Sequence, residues 1–188
     1  ELSGYGSITS VWCLASVLKP ILKNSNSQNI GLLLPSTIAG AVANLAVLSL
    51  GKTLVNLNYT ASEQAFLHML KMAEIEIIIT STQFLTRLKA RGLPIDLYLD
   101  GKTIIELENI KNQISVFSKS SKFLLSYLIP ARFLKFLMLQ NSHPTAVILF
   151  SSGSEGLPKG VMLSHQNIVA NARQSGCVLN LQSSDRVL

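Results

Sequence analysis

Ten consecutive residues carry the side chains of this chain that are best suited to chemistry. Residues 151–160 read Ser-Ser-Gly-Ser-Glu-Gly-Leu-Pro-Lys-Gly, and they directly follow the apolar run Ala146–Phe150. Their three glycines allow close backbone approach, and their three serines supply hydroxyl donors. Successive N–H groups in such a turn can point at one anion, and Lys159 adds a mobile positive charge. These residue types at this spacing predict a loop that binds phosphate.

A Walker A loop is the obvious alternative, but its spacing is absent. That loop requires Gly-x-x-x-x-Gly-Lys-Ser/Thr followed directly by a helix. Gly153 and Gly156 are only three residues apart, and Pro158 precedes the lysine. Two other Gly-Lys-Thr triplets, which begin at Gly51 and Gly101, lack the glycine that the motif requires five residues earlier. None of the three segments is a Walker A loop.

The loop resembles the phosphate-binding motif of the adenylate-forming superfamily, Ser/Thr-Ser/Thr-Gly-Ser/Thr-Thr-Gly-x-Pro-Lys-Gly. Residues 160–165, Gly-Val-Met-Leu-Ser-His, also continue the usual Gly-Val-x-x-Ser/Thr-His of that superfamily. The resemblance implies ATP and Mg²⁺ as cofactors, with the metal ligands undefined, and a reaction that joins a carboxylate to AMP. It implies that nine residues bind nucleotide phosphate: Ser151, Ser152, Gly153, Ser154, Glu155, Gly156, Pro158, Lys159 and Gly160.

Glu155 departs from the motif, because most members of the superfamily have threonine there. A carboxylate beside a triphosphate repels it unless Mg²⁺ or Lys159 lies between them. The Ser-Gly-Ser-Glu-Gly form is similar to that of a narrower branch, the acyl-acyl-carrier-protein synthetase halves of bifunctional 2-acylglycerophosphoethanolamine acyltransferases. This resemblance implies a fatty acid as substrate, an acyl carrier protein or CoA as acceptor, and a place in phospholipid metabolism.

The elements that must position the loop alternate between short apolar runs and amphipathic segments. The predicted strands are Ile30–Pro35, Thr53–Leu57, Ile75–Thr80, Ile95–Leu99 and Ala146–Phe150. The predicted helices are Thr9–Lys23, Ile38–Leu50, Glu63–Ala73, Thr82–Arg91, Ile104–Ile110 and Ser164–Gln174. Because the strands are apolar at nearly every position, each is expected to be buried on both faces. The pattern predicts an α/β fold whose mostly parallel sheet has helices on both faces.

This order of elements also resembles the opening of an adenylate-forming enzyme over nearly the whole chain. The resemblance implies that residues 1–188 are a single partial domain, the N-terminal fragment of the large domain. The adenine, ribose and acyl-pocket motifs of the superfamily and its C-terminal lysine lie further along, and none has a match here. We therefore expect no catalytic residue in this chain and no activity of the chain alone.

Residues 116–140 are predicted to form an amphipathic insertion, in which four lysines and arginines are interspersed among leucine and aromatic residues. Pro130 breaks the segment, and each half is too short and too charged to span a bilayer. One interpretation is a basic helix that lies on anionic lipid at the inner face of the membrane. The alternative is a helical insertion that packs on the sheet domain.

Composition bounds the other classes of function. The chain has 16 basic and 10 acidic residues, a formal net charge of +6, without an arginine-rich run. We therefore expect a nucleotide, a carrier protein or a membrane surface as partner, and no nucleic acid. Cys13 and Cys177 lack metal-ligand spacing, which favours a reduced, cytoplasmic location. The N-terminus has neither a basic start nor an apolar core, so no signal peptide is predicted.

The three histidines are not expected to be catalytic. His165 follows Ser164, the expected N-cap of a helix, and His68 lies among apolar residues of a predicted helix. His143 precedes a proline in a connecting segment. No histidine is followed by aspartate five residues later, so the His-x-x-x-x-Asp motif of the acyltransferase halves is absent.

The resemblance thus implies part of a ligase that activates a fatty acid with ATP to acyl-AMP. The acyl group would then pass to the thiol of an acyl carrier protein or CoA. Two alternatives stay open: an amino-acid-activating adenylation domain, and a non-catalytic membrane- or partner-binding module in which Glu155 has disabled nucleotide binding.

Overall fold

The computed structural model describes residues 4–113, 144–151 and 157–180, in which helices and strands alternate. The strands are β1 (Asn29–Leu33), β2 (Thr53–Asn56), β3 (Ile77–Thr80), β4 (Thr103–Glu106), β5 (Val147–Ser151) and β6 (Lys159–Leu163). The helices are α1 (Gly4–Lys23), α2 (Ile38–Ser49), α3 (Glu63–Met72), α4 (Thr82–Ala90), α5 (Ile95–Tyr98), α6 (Leu107–Gln113) and α7 (His165–Val178). The predicted α/β class is confirmed.

The six strands form one sheet in the order β4-β3-β1-β2-β5-β6. All neighbouring pairs from β4 to β5 are parallel, whereas β5 and β6 run antiparallel. β5 joins the sheet beside β2, and there the Thr53 hydroxyl donates a 2.9 Å hydrogen bond to the carbonyl oxygen of Thr145. The mostly parallel sheet is as predicted, with one antiparallel strand added at the edge.

Each face of the sheet has its own apolar core, because successive strand residues point to opposite faces. Leu54 contributes to a core formed with α1, α2 and α6, whereas its neighbour Val55 contributes to a core formed with α3, α4 and α5. Leu18 of α1 and Phe66 of α3 are among the largest fully buried side chains. Burying each such side chain stabilises the fold by roughly 1.5–3 kcal/mol. The predicted helices on both faces are therefore confirmed.

Three helices begin at side-chain caps that the local sequence encodes. Thr37, Ser62 and Ser81 each accept a hydrogen bond from the backbone N–H three residues later, at 3.3 Å. These bonds satisfy N–H groups that have no partner within the first turn of a helix. Ser36 and Thr60 also carry hydroxyl groups close to the starts of α2 and α3. The structure selects Thr37 and Ser62.

Two predicted elements are wrong. One predicted strand is a helix, and one predicted helix begins as a strand. The predicted strand Ile95–Leu99 is the short helix α5, in which Ile95 and Tyr98 are buried one helical turn apart. The predicted helix Ile104–Ile110 begins with β4, which pairs in parallel with β3. Short apolar runs fit either state by periodicity, so the neighbouring strand decided between them.

The strand before the loop is less buried than predicted. Val147 and Ile148 are buried, but Leu149 is 44% exposed. The strand β6, with which it pairs, was not predicted. β6 lies at the edge of the described sheet, and its residues are mostly exposed. In the described part of the chain, the apolar run 146–150 is therefore not buried on both faces.

Two predicted features lie outside the described residues, namely the amphipathic insertion 116–140 and the central part of the loop, 152–156. Among the helices that the structure describes, none is both long enough and apolar enough to cross a membrane.

Candidate functional site

The hairpin of β5 and β6 holds both ends of the predicted phosphate loop. β5 runs parallel to β2, so its last residue, Ser151, lies at the carboxyl edge of the sheet. In open α/β sheets, ligands bind in crevices outside the carboxyl ends of the strands. The fold therefore starts the loop at the edge where a ligand is expected.

β6 returns antiparallel and brings Lys159 opposite Ser151. The Ser151 hydroxyl donates to the carbonyl oxygen of Lys159 over 3.5 Å, which is a long and weak hydrogen bond. Of the nine predicted phosphate-binding residues, the structure describes Ser151, Pro158, Lys159 and Gly160, and brings these four together in the hairpin. The other five, residues 152–156, lie outside the described part of the chain.

The described hairpin residues suit an anionic ligand. Ser151 and Lys159 are exposed, and Lys159 is the only charged residue in 147–151 and 157–163. Pro158 is buried directly before it, and its ring fixes φ at the entry to β6. A hydroxyl group and an ammonium group, with no carboxylate in these two ranges, fit a nucleotide phosphate.

α7 follows β6 directly and begins with a capping box. Ser164 Oγ accepts a hydrogen bond from Asn167 N at 3.2 Å, and Asn167 Oδ1 accepts one from Ser164 N at 2.9 Å. The expectation that Ser164 is the N-cap is confirmed. His165 is the first residue of the helix and is half-buried. Asn167 was not predicted, although the Ser-x-x-Asn spacing is a signal for it in the sequence.

At the same edge of the sheet, a carboxylate of the chain itself occupies the N-terminus of α4. Glu108 of α6 accepts hydrogen bonds from the Ser81 hydroxyl at 2.7 Å, from Thr82 N at 3.0 Å and from Gln83 N at 3.4 Å. Burial acts to raise the pKa of Glu108, but these hydrogen bonds outweigh it and hold the pKa below its ordinary value. Because Glu108 already neutralises this helix N-terminus, a ligand phosphate would have to displace it.

The Gly-Lys-Thr triplet at 51–53 has a structural role. Gly51 has a φ of 73°, which suits a residue that ends a helix. Lys52 Nζ donates to the carbonyl oxygen of Ser27 at 2.8 Å, and burial lowers the pKa of this lysine. The rejection of this segment as a nucleotide loop therefore agrees with its contacts.

The sequence contains two further histidines. His68 is half-buried on α3, and His143 lies outside the described residues. In the part of the chain that the structure describes, no group of three or more His, Cys, Asp or Glu side chains could hold a metal ion. The ligands of the implied Mg²⁺ stay undefined.

Residues 9–188 match the family described as AMP-binding enzyme, and the chain belongs to that family. It is 30% identical over 148 residues to the long-chain-fatty-acid–CoA ligase ACSBG2 of Rattus norvegicus, which covers 77% of this chain and 22% of the ligase. It is 29% identical over 176 residues to the medium-chain fatty-acid–CoA ligase of Escherichia coli (strain K12), which covers 93% of this chain and 29% of that ligase. The chain thus spans less than a third of these relatives.

The fold is similar to that of o-succinylbenzoate CoA synthetase from Bacillus subtilis in complex with the acyl-adenylate intermediate OSB-AMP. The TM-score is 0.69 at 17% identity, and the match covers 98% of this chain and 42% of that chain. A structure of the same enzyme in complex with ATP and magnesium ion matches with a TM-score of 0.64 at 17% identity, over 96% of this chain and 42% of that chain. The likeness confirms the fold of an adenylate-forming enzyme domain.

Proposed function

We propose that the protein containing this chain activates a fatty acid with ATP and passes the acyl group to a thiol. In the first step a carboxylate oxygen attacks the α-phosphorus of ATP, the bond to the β-phosphate oxygen breaks, and pyrophosphate leaves. In the second step a thiolate attacks the acyl carbonyl carbon and AMP leaves. The family match and the two fatty-acid–CoA ligases among its relatives support this class of reaction.

The observation that carries the proposal is the hairpin at the carboxyl edge of the sheet, with Ser151 and Lys159 exposed opposite each other. We assign residues 151–156 and 158–160 to the β- and γ-phosphates of ATP. Lys159 and backbone N–H groups would orient the triphosphate for in-line displacement and balance charge on the departing pyrophosphate. Mg²⁺, when bound to ATP, supplies further charge neutralisation, as the relative with ATP and magnesium ion suggests.

The narrower parts of the proposal concern the acceptor, the substrate and the setting. The Ser-Gly-Ser-Glu-Gly form of the loop, which contains Glu155, resembles that of the acyl-acyl-carrier-protein synthetase branch. We therefore propose an acyl carrier protein or CoA as acceptor and phospholipid metabolism as the setting. We further propose a cytoplasmic protein that residues 116–140 attach to the inner face of the membrane. Residues 1–188 would be part of one large domain that is inactive alone.

Pyrophosphate exchange tests the reaction directly. The complete natural protein that contains these residues should incorporate labelled pyrophosphate into ATP when Mg²⁺ and a fatty acid are present. Replacing Lys159 by alanine should lower this exchange about 10²-fold, the scale for removal of one transition-state charge donor. Lys102→Ala is the matched control, since Lys102 follows a glycine in a Gly-Lys-Thr triplet on the opposite edge of the sheet.

The outcomes separate the parts of the proposal. No exchange with fatty acids, but exchange with an amino acid, would favour the amino-acid-activating alternative. Normal pyrophosphate exchange by both Lys159→Ala and Gly156→Ala would refute the assignment of the loop to phosphate binding. A comparison of thioester formation with CoA and with acyl carrier protein identifies the acceptor. Failure of a peptide of residues 116–140 to co-sediment with anionic vesicles would count against membrane attachment.

A further inference from the structure

We propose that Phe150 is a positioning residue for Lys159, because its ring packs on Gly160 and fixes the register of the β5–β6 hairpin. The sequence motif assigns no role to this position. The inference rests on the proposed function only in that Lys159 is taken to bind phosphate. The hairpin geometry on which it depends is independent of the reaction.

The register places Phe150 directly across from Gly160. Phe150 pairs with Gly160, and the next pair outward is Ser151 with Lys159. Side chains alternate between the two faces of a strand, so Phe150 and Gly160 share the face on which Ile148 lies. A Cβ atom at position 160 would lie 3.3 Å from Ile148 Cγ2 and 3.3 Å from Phe150 Cε1. A side chain at residue 160 would therefore require Ile148 and the ring of Phe150 to shift by a few tenths of an ångström.

These two contacts make residue 160 a tight site for any side chain. Among the described glycines, positive φ occurs at Gly51, Gly92 and Gly101, and Gly160 is not one of them. Its backbone conformation is thus open to any residue, so a substitution there would act through the contacts with Ile148 and Phe150. An aromatic ring laid across a glycine of the neighbouring strand covers an otherwise exposed stretch of backbone and pins strand register.

The ring also connects β6 to the core. Phe150 is half-buried and packs against the core cluster that contains Val55, Leu57 and Ile148. β6 itself contributes no buried residue to either core and lies at the edge of the sheet. Pairing with β5 and the contact of this ring with Gly160 are therefore among the interactions that attach β6 to the sheet. Lys159 is the first residue of β6, so its position depends on how β6 is attached to the sheet.

Three variants of the complete natural protein test this role. Phe150→Ala removes the ring, Phe150→Tyr keeps it, and Met162→Ala is the control. Met162 lies on the same face two residues beyond Gly160, and it is 70% exposed. We expect Phe150→Ala to raise the KM for ATP in pyrophosphate exchange about tenfold, which is less than the roughly 10²-fold cost of misplacing a positioned group by about 1 Å. The KM for the acid should be unchanged.

Rescue distinguishes positioning from loss of folding. Phe150→Tyr and Met162→Ala should both stay within about twofold of the unmodified protein, because a ring still covers Gly160 in each. Gly160→Ala should raise the KM for ATP more in the natural background than in Phe150→Ala, because one of the two side chains that its Cβ meets is then gone. If Phe150→Ala does not fold, Phe150→Leu replaces it in the same comparison.

Tryptic cleavage after Lys159 supplies a readout that needs no activity. Phe150→Ala should be cut about tenfold faster than the natural protein at the Lys159–Gly160 bond, and Phe150→Tyr should not. An unchanged KM for ATP together with unchanged cleavage in folded Phe150→Ala would overturn the inference. So would a tyrosine variant as impaired as the alanine variant. If the proposed function is wrong, the natural protein shows no pyrophosphate exchange. The cleavage rates then still test the role of Phe150.

Discussion

Replacing Glu108 by glutamine tests how one carboxylate joins the two faces of the sheet. Glu108 lies on α6, which packs on one face, and it caps α4, which packs on the other. The first four N–H groups of α4 are all satisfied in the structure. Those of Thr82 and Gln83 donate to Glu108, that of Phe84 donates to the Ser81 hydroxyl, and that of Leu85 to a backbone carbonyl.

The glutamine side chain keeps only one of the two acceptor oxygens. Its oxygen can still accept from the Ser81 hydroxyl, but its amide group then faces the N–H of Thr82 or Gln83, which is also a donor. The loss combines a hydrogen bond to a charged group, about 1.5–3 kcal/mol when buried, with about 0.3–1 kcal/mol from the helix dipole. Because Glu108 is only half-buried, solvent screening reduces the sum. We expect a net loss of about 1–2 kcal/mol in the stability of α4.

Hydrogen exchange of the α4 amides in the complete natural protein measures this loss locally. Glu108→Gln should increase their exchange about 5- to 30-fold at pH 7, which corresponds to that change in free energy. Glu106→Gln is the matched control, because Glu106 accepts its hydrogen bond from Asn109 nearby in the chain and contacts no residue of α4 in the described bonds. Equal exchange of the α4 amides in both variants would refute the capping argument.

The pH dependence has a definite sign. The pKa of Glu108 is lowered in the folded state, whereas an unfolded glutamate titrates at about 4.3. The contribution of the carboxylate is therefore fully present above that value and is lost as the pH falls through the lower, folded pKa. The difference between the natural protein and Glu108→Gln should narrow as the pH falls below about 4. A difference that widens on acidification would contradict the argument.

Two glycines on helices should respond to alanine in opposite ways. A Cβ at Gly40 in α2 would lie 2.7 Å from the carbonyl oxygen of Pro35, so Gly40→Ala should destabilise the domain by about 1–3 kcal/mol. Gly176 in α7 has no neighbouring atom within 4 Å of such a Cβ, so Gly176→Ala should stabilise by about 0.5–1 kcal/mol through helix propensity. Denaturant midpoints measured on the same protein check both, and a lower midpoint for Gly176→Ala or an unchanged one for Gly40→Ala would contradict the packing argument.

The parts of the fold that local chemistry encodes were predictable. Helix starts at Ser62 and Ser164 follow from hydroxyl caps that act within three residues. The core strands β1, β2 and β3 lie within mostly apolar runs and are buried at nearly every position, as expected of strands covered on both faces of a parallel sheet. These signals need no knowledge of distant residues, and the structure confirms them.

The exchanged elements between residues 95 and 110 show where local chemistry fails. Ile95–Tyr98 became a helix because a single turn brings Tyr98 onto Phe66, with ring centroids 4.7 Å apart. Thr103–Glu106 became a strand because β3 offered an edge with free backbone groups to pair. Both segments carry an apolar run that suits either state, and the choice belongs to residues far away in the chain.

By itself, the sequence of residues 151–160 predicted the chemistry proposed for the candidate site, because glycines, serines and a lysine at those spacings suit an anion. Only the tertiary structure decided where that chemistry lies. β5 inserts beside β2, and the Thr53–Thr145 hydrogen bond closes a separation of 92 residues. It also decided that Lys159 begins a strand, since glycine is disfavoured in strands and Gly160 nevertheless pairs with Phe150 across the hairpin. Strand pairing joins backbone groups that every residue has, so the choice of partner comes from long-range packing and not from local sequence.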